Sequence, residues 1–229
     1  GSMLRAYDDS FQKYNIEDGY FQTKKKLTPA QKEDIEKSDV KVYENFYIEQ
    51  KLTNGSTIRF FKNRKEVDKV CLMKGKMPKK SGEIAVDRMY ADNNELKVGD
   101  TVKSRKKTFR ITGLVALSDY SALFQNNNDT MFDAVKFGVA IVTDKDFEAL
   151  NQVKVQYNYA WIYDKKPATE KKEKKMAEDL MEDMADVVTI ESFVPQYQNQ
   201  SIHFTGDDMG SDRAMIVMLL YIVMAILAF

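Results

Sequence analysis

The 229-residue sequence predicts an α+β fold in which both ends of the chain build one α/β layer. Strand-like and helix-like runs follow the order β-α-β-β at the front of the chain and β-α-β at the back, an order typical of a ferredoxin-type layer. Between them, residues 75–150 are rich in strand-like runs and predict an inserted β-rich subdomain. The layer then comprises residues 4–74 and 151–205, and residues 206–229 form a linker and the start of a transmembrane helix.

The first helix of the layer is predicted by its capping residues. Residues 18–23 are typical of a turn followed by a short strand. Thr28 precedes Pro29 at the first helical position and has the capping-box spacing to Gln31, so we expect a helix over residues 29–37.

A β-hairpin is predicted next. The runs 40–52 and 57–63 are rich in β-branched and aromatic residues, and an Asn-Gly turn separates them. The basic stretch 73–82 contains Gly and Pro, which predicts a loop at the subdomain boundary.

The inserted subdomain is predicted to alternate short strands and helical turns. Basic residues 105–107 form the tip of one hairpin, and Asp144 caps a short helix. Residues 117–138 make a connection long enough to indicate a function of its own. The expected strands are 83–87, 101–104, 109–116 and 139–143, and the expected helices are 88–94 and 144–150.

The back of the chain returns to the layer. Residues 155–164 and 187–195 are strand-like and flank a predicted helix over residues 167–186. That helix carries an apolar stripe at helical spacing, which predicts the face that packs on the sheet. The stripe consists of Ala177, Leu180, Met181 and Met184.

Composition excludes several functional classes. Basic and acidic residues number 35 each, so no net field favours nucleic acid or an acidic substrate. One histidine and one cysteine provide no convincing Ser-His-Asp or Cys-His arrangement, and the sequence has no Walker A motif. We therefore predict no catalytic, cofactor-binding or metal-binding residues.

Two weak patterns for metal binding have ordinary surface positions as their alternative. His203 lies close in sequence to Asp207 and Asp208, which are possible ligand partners. Residues 126–133 have the composition of a calcium loop but lack its Gly at the sixth position and its Glu at the twelfth. For both patterns, a solvated loop is the favoured interpretation.

The sequence closes on sixteen residues without a charge, from Ala214 through Leu219 and Tyr221 to Phe229. As a helix, this run spans about 24 Å of a bilayer core of about 30 Å. We expect it to be part of a longer membrane helix, and a buried or dimerising apolar helix is the alternative. The initial Gly-Ser-Met is typical of a cleaved tag, so we expect the natural protein to begin elsewhere.

The central block resembles a known family. The segment GEIAVDRMYADNNELKVGDTV, followed by FRITGLV, resembles the external domain of FtsX-like or MacB-like ABC transporter permeases. The matching motifs are a strand at 82–86, a short helix at 90–96, a KVGD turn at 97–100 and a hairpin strand at 109–115. The resemblance covers residues 11–229 and is most specific in this block.

The resemblance implies an architecture, partners and a location. It implies a porter-like half formed by both chain ends and a smaller sabre-like β-rich half, together standing between the first and second membrane helices. The implied partners are a separate cytoplasmic ATPase, membrane lipid, and a second permease copy or an accessory extracellular protein; nucleic acid and cofactors are not expected. The implied location is the external face of a cell membrane, and the Lys, Tyr and Asn content favours a Gram-positive source.

The implied function is mechanical and non-enzymatic. The domain would couple ATP-driven membrane-helix motion to export, extraction or signalling outside the cell. A membrane-anchored surface hydrolase is an alternative, and it requires paired carboxylates with a raised pKa. A ligand-sensing domain is a second alternative.

Two groups of residues are candidate contact sites. The connection 117–138 carries five apolar or aromatic side chains that fit a partner surface, although folding back over the core is the alternative. The basic clusters 24–26, 79–80, 105–107 and 171–175 can contact anionic lipid or wall polymer, or form solvated faces. The candidate partner contacts in the connection are Tyr120, Leu123, Phe124, Met131 and Phe132.

Overall fold

A computed structural model describes residues 13–203. Within this range the chain forms two compact α/β units. The four-stranded unit consists of residues 17–47 and 155–199, and the seven-stranded unit consists of residues 13–16, 48–154 and 200–203. The four-stranded unit is therefore assembled from two distant parts of the chain.

The secondary structure alternates between the two units. The strands are β1 (Gly19–Thr23), β2 (Val40–Glu44), β3 (Tyr47–Lys51), β4 (Thr57–Lys62), β5 (Cys71–Gly75), β6 (Glu83–Asp87), β7 (Thr101–Lys103), β8 (Thr108–Ala116), β9 (Phe137–Val142), β10 (Tyr157–Tyr163) and β11 (Ile190–Pro195). The helices are α1 (Pro29–Glu36), α2 (Arg88–Asn93), α3 (Asp144–Ala149), α4 (Glu170–Ala185) and α5 (Gln200–His203), with short 3-10 turns at 118–120, 152–154 and 196–198.

The four-stranded unit has the strand order β11-β1-β10-β2, with every pairing antiparallel. Helices α1 and α4 each connect two of its strands, so each chain segment contributes one β-α-β element. The predicted capping box begins α1: the Thr28 hydroxyl accepts the Gln31 N–H at 3.1 Å, and the Gln31 side chain accepts the Thr28 N–H at 2.9 Å. These two bonds satisfy N–H groups that a helix end leaves open.

An aromatic cluster fills the core of the four-stranded unit. Trp161 is fully buried on β10 and stacks on Phe193 of β11 with the ring centroids 4.8 Å apart. Gly19 of β1 lies directly opposite Trp161 in the sheet. A Cβ atom at Gly19 would lie 2.1 Å from the indole ring, so only glycine leaves room for the tryptophan.

The second sheet has the order β3-β4-β9-β6-β8-β5, and β7 also pairs with β8. Its central strand β9 is buried at every position, which is typical of a strand covered on both faces. The hairpin of β7 and β8 turns at residues 104–107, as the basic tip in the sequence predicts. The strand and short helix of the GEIAVDRMYADN block correspond to β6 and α2.

The boundary of the insertion differs from the predicted one. The sequence places it at residue 75, whereas the seven-stranded unit already includes residue 48. The reason is that β4 pairs in parallel with β9, from Thr57 opposite Phe137 to Lys62 opposite Val142. The predicted hairpin therefore forms between β3 and β4 inside this unit, and β2 belongs to the other sheet.

Three smaller predictions are corrected. Cys71–Gly75 forms an edge strand where the sequence predicts a loop from residue 73, because backbone pairing with β8 supplies its order while its side chains stay mostly exposed. Met181 is 46% exposed, whereas the other three residues of its predicted stripe are buried. The hydroxyl of Thr143, not Asp144, caps α3.

The membrane prediction falls outside the described residues. Within 13–203, no helix combines the length and the apolar character that crossing a membrane requires. The apolar run that contains Ala214, Leu219, Tyr221 and Phe229 lies beyond this range.

Candidate functional site

Four segments of the seven-stranded unit lie together, held by hydrogen bonds and one ion pair. They are residues 13–16, 63–71, 117–129 and 200–203, and we call them together the junction. Residues 13–16 and 200–203 are its flanking segments, and the other two are its loops. All four belong to the same compact unit.

The first flanking segment is hydrogen-bonded to the loop 63–71. The N–H of Asp68 donates to the carbonyl of Asn15 at 3.0 Å, and the N–H of Lys69 donates to the carbonyl of Tyr14 at 2.8 Å. The Asn15 side chain donates to the carbonyl of Glu66 at 2.7 Å. The nearby Cys71 thiol, together with burial, raises the pKa of the Tyr14 hydroxyl. Backbone hydrogen bonds thus fix the flanking segment 13–16 to the loop 63–71.

The second flanking segment is fixed to the loop 117–129. Helix α5 packs on the 3-10 turn 118–120, and its Ile202 is buried. The backbone N–H of Gln200 donates to the side-chain oxygen of Asn127 at 3.1 Å. The Gln200 side chain donates to the carbonyl of Asp129 at 2.9 Å, and the N–H of Ala122 donates to the carbonyl of Ser201 at 3.3 Å.

A buried ion pair joins the two loops. Arg64 Nη1 lies 2.5 Å from Asp119 Oδ1, and the two side chains are 5% and 6% exposed. The same nitrogen donates to the carbonyl of Asp68 at 3.3 Å, and the guanidinium lies 4.3 Å from the centre of the Phe61 ring. Burial acts to lower the pKa of Arg64, but the charges of Asp119 and Asp68 outweigh it and raise the pKa. The guanidinium therefore stays charged and bonds to both loops.

A second arginine holds the loop 117–129 against the sheet. Arg59 of β4 bonds Glu49 of β3 with its Nε and Nη2 atoms, at 2.8 Å for Nε. Its Nη1 donates to the Tyr120 hydroxyl at 2.9 Å, and its Nη2 donates to the carbonyl of Gln125 at 2.8 Å. Because hydrogen bonds to charged groups are the strong ones, these contacts make the loop part of the folded unit.

Neither arginine is among the candidate site residues predicted from the sequence. Arg59 lies in the strand TIRFFK and Arg64 follows that strand. Because residues i and i+2 of a strand share a face, Arg59 lies on the same face as the apolar Phe61, which favours an inward position. An inward arginine needs an acidic partner, since an unpaired buried charge is costly. That signal identifies the arginine but not the partner, which is 55 residues away in the case of Arg64.

The candidate partner contacts lie mostly inside the unit. Leu123, Phe124 and Phe132 are buried, and the two phenylalanine rings pack edge to face at 5.3 Å. Tyr120 is half-buried against Arg59 and Phe61. Met131 is 56% exposed, so it alone among the five extends well into solvent. For the three buried side chains, the structure matches the alternative in which the connection folds back over the core.

Within residues 13–203, neither of the two weak metal-binding patterns brings three possible ligand side chains together. Asp129 and Asp133, in the calcium-like stretch, accept backbone N–H groups of their own turns, those of Asn126 and of Val135 and Lys136. His203 ends α5, half-buried, and its proposed partners Asp207 and Asp208 lie beyond residue 203.

One buried carboxyl has a strongly shifted pKa. Burial raises the pKa of Asp87 to about 7, against the lowering effect of the backbone N–H of Tyr90. The side chain caps α2 by accepting that N–H at 3.1 Å. Capping of α2 accounts for the buried position of Asp87, so no catalytic role is needed to explain it.

Comparisons with known proteins find likeness in structure only. No protein-family model matches the chain, and no curated protein matches it. The periplasmic region of MacB from Actinobacillus actinomycetemcomitans matches at 11% identity and a TM-score of 0.39, over 76% of this chain and 87% of that one. The extracellular domain of the noncanonic ABC-type transporter YknZ from Gram-positive bacteria matches at 10% identity and a TM-score of 0.38, over 76% of this chain and 98% of that one.

Proposed function

We propose that this chain is the external domain of an ABC transporter permease and that it transmits membrane-helix motion as a non-catalytic module. The observation that supports this function is the junction. Both flanking segments are fixed to one unit, and their loops are joined through Arg64 and Asp119. A domain held between two membrane helices needs such a connection, because force from either helix must reach the same folded body.

The junction suits transmission for a physical reason. Backbone hydrogen bonds at both flanking segments resist small displacements, and a buried ion pair breaks at a high cost because it leaves a charge without its partner. Packed interiors move as discrete bodies and do not deform continuously. A shift of one flanking segment is therefore expected to move the loops 63–71 and 117–129 together.

The remaining parts of the proposed function come from the sequence resemblance to FtsX-like or MacB-like permeases. The four-stranded unit is the porter-like half, and the seven-stranded unit contains the sabre-like half. A separate cytoplasmic ATPase supplies the energy. Membrane lipid, a second permease copy or an accessory external protein are the further partners, and the work done is export, extraction or signalling.

Labelling of intact cells tests the external location. The full-length protein carries Val153→Cys, at a residue that is 92% exposed, in a background where Cys71 and any other cysteines are replaced by serine. We expect a membrane-impermeant maleimide to label this cysteine on intact cells, because residue 153 faces the outside.

A buried position provides the matched control. Ala140→Cys lies at a fully buried site of β9, so it is expected to react only after the protein is denatured. Labelling of Val153→Cys that requires permeabilised cells would place the domain on the inner side and contradict the proposed function.

A further inference from the structure

A large open groove crosses the surface of the seven-stranded unit at the tip of the hairpin formed by β7 and β8. Its volume is about 1440 Å³, and four of the residues that line it are exposed cations. We call this feature the basic groove. The four cations are Lys51, Arg105, Lys106 and Lys154.

The acidic residues of the groove are neutralised from within the unit. Glu49 is bound by Arg59 and also accepts from the Gln125 side chain at 3.3 Å. Asp146 accepts from Lys107 Nζ at 2.6 Å and from the Ser81 hydroxyl at 2.5 Å.

The pair of Asp146 and Lys107 is a stable one. Burial alone acts to raise the pKa of Asp146, but the bonds from Lys107, Ser81 and the backbone of Gly82 outweigh it and lower the pKa. The carboxylate therefore stays charged at neutral pH and retains Lys107. Neither carboxylate is available to offset the other cations of the groove.

The four remaining cations have no acidic partner in the part of the chain that the structure describes. Among residues 13–203, Lys51, Arg105, Lys106 and Lys154 form no ion pair. The groove thus carries a local excess of positive charge on a chain whose formal net charge is zero. Concave surfaces with one sign of charge focus the field and concentrate counter-ions.

The hairpin tip that carries two of these cations is held in place on both sides. The N–H of Ser104 donates to the carbonyl of Lys107 at 2.9 Å, and the N–H of Lys107 donates to the Ser104 hydroxyl at 3.2 Å. The N–H of Thr53 donates to the carbonyl of Lys103 at 2.8 Å. A fixed tip loses little conformational entropy when a ligand binds.

The shape and the neutral lining narrow the class of ligand. Hydroxyl and amide side chains lie between the cations, and none of the lining residues is aromatic. Stacking on aromatic rings is the usual platform for single-stranded nucleic acid, so the groove does not suit it. A flat bilayer meets convex surfaces more readily than a concave groove. The neutral hydrogen-bonding residues are Gln50, Thr53, Thr57, Ser104, Gln125 and Asn151.

We propose that the basic groove binds a linear phosphodiester polymer of a polyol. Such a chain alternates phosphates, which pair with Lys and Arg, with hydroxyl groups, which bond to amides and hydroxyls. Arg105 can hold a phosphate with two parallel N–H bonds, and the lysines act as point charges around it. This inference is independent of the proposed function, because binding is measured without membrane or ATPase.

Fluorescence anisotropy with the purified 229-residue chain in mild detergent tests it. The probe is a labelled poly(glycerol phosphate) of about ten units. If four phosphates are contacted, raising the salt concentration from about 0.05 to about 0.2 M is expected to weaken binding roughly 50-fold. This value takes a slope of about −0.7 per contact in a plot of log affinity against log salt concentration. Replacing Arg105, Lys106 and Lys154 by serine is expected to weaken binding by at least about tenfold, since each cation releases one bound counter-ion.

The matched control removes the same charge elsewhere. Lys24, Lys25 and Lys171 are exposed and lie outside the groove, so their replacement by serine is expected to change the affinity less than about twofold. Equal losses in both triple variants would overturn the proposal, as would no binding of the polymer. Tighter binding to polyglutamate, to an oligothymidine or to phosphatidylglycerol vesicles would also overturn it.

Discussion

Replacing Arg64 by methionine is expected to lower the free energy of unfolding by about 3–5 kcal/mol, as breaking a buried ion pair does. The guanidinium bonds Asp119 and the backbone of Asp68, and both aspartates are buried. Within residues 13–203, the Nε and Nη2 atoms of Arg64 have no hydrogen-bond partner. The buried guanidinium is therefore stabilised mainly by the charges of the two carboxylates. Methionine fills most of the volume but leaves the Asp119 carboxylate buried without its cation. Urea unfolding followed by far-UV circular dichroism measures the change.

A double-mutant cycle separates the ion pair from general packing. Asp119→Leu combined with Arg64→Met removes both charges, and the loss is expected to be smaller than the sum of the two single losses. Arg105→Met makes the same chemical change at an exposed site and is expected to cost less than about 0.5 kcal/mol. Additive losses in the cycle, or a loss below about 1 kcal/mol for Arg64→Met, would show that the pair does not join the loops.

Replacing Trp161 by alanine is expected to destabilise the four-stranded unit by about 3–5 kcal/mol, the usual cost of truncating a large aromatic side chain in a core. The indole contacts Phe193, Phe21 and Tyr163 and is fully buried. Its loss leaves a cavity in the centre of the sheet. Circular dichroism is the measurement, since Trp161 is the only tryptophan and the variant has no indole fluorescence.

The close approach at Gly19 provides an independent check. Gly19→Ala places a methyl group against the indole and is expected to cost about 1–3 kcal/mol, as overpacking does. Trp161→Phe, with its smaller ring, is expected to relieve part of that cost in the double variant. Met181→Ala, on the exposed side of α4, is the control, with an expected change within about 0.5 kcal/mol. An equal effect of Met181→Ala and Trp161→Ala would contradict this description of the core.

The elements that the sequence predicts well are those specified by local chemistry. The Thr28 capping box, the β6–α2 block and the 104–107 tip follow from hydrogen bonds between neighbouring residues or from strand patterns a few residues long. Each of these signals is complete within about ten residues of sequence.

The features that it misses depend on distant partners. β5 has exposed side chains and no alternation, and only its pairing with β8 makes it a strand. The boundary at residue 48 results from the parallel pairing of β4 with β9, some 80 residues apart. Neither pairing leaves a pattern in its own segment, because tertiary contacts override local propensity in strands.

The junction could be predicted only in part. The length of the connection 117–138 indicates a special role, but its apolar side chains fit a partner surface and a core equally well. The buried ion pair of Arg64 and Asp119 holds the start of this connection against the core. The two residues are 55 positions apart, so no local sequence pattern predicts the pair. The basic groove is similar: the cluster 105–107 is visible in sequence, whereas Lys51 and Lys154 join it only in the fold.

Hydrogen exchange in the full-length transporter, purified with its ATPase and embedded in lipid nanodiscs, tests the central claim most directly. We expect ATP to change the exchange rates of backbone amides in the loops 63–71 and 117–129. Flexible Gly-Ser-Gly-Ser insertions placed together before Lys13 and after His203 are expected to abolish that change in both loops, because each flanking segment is then separated from the chain that leads to it. The same insertion between the exposed Lys25 and Lys26 is expected to preserve it. Exchange rates that ATP leaves unaltered in both loops, or an ATP response that survives the paired insertions, would contradict transmission through the junction.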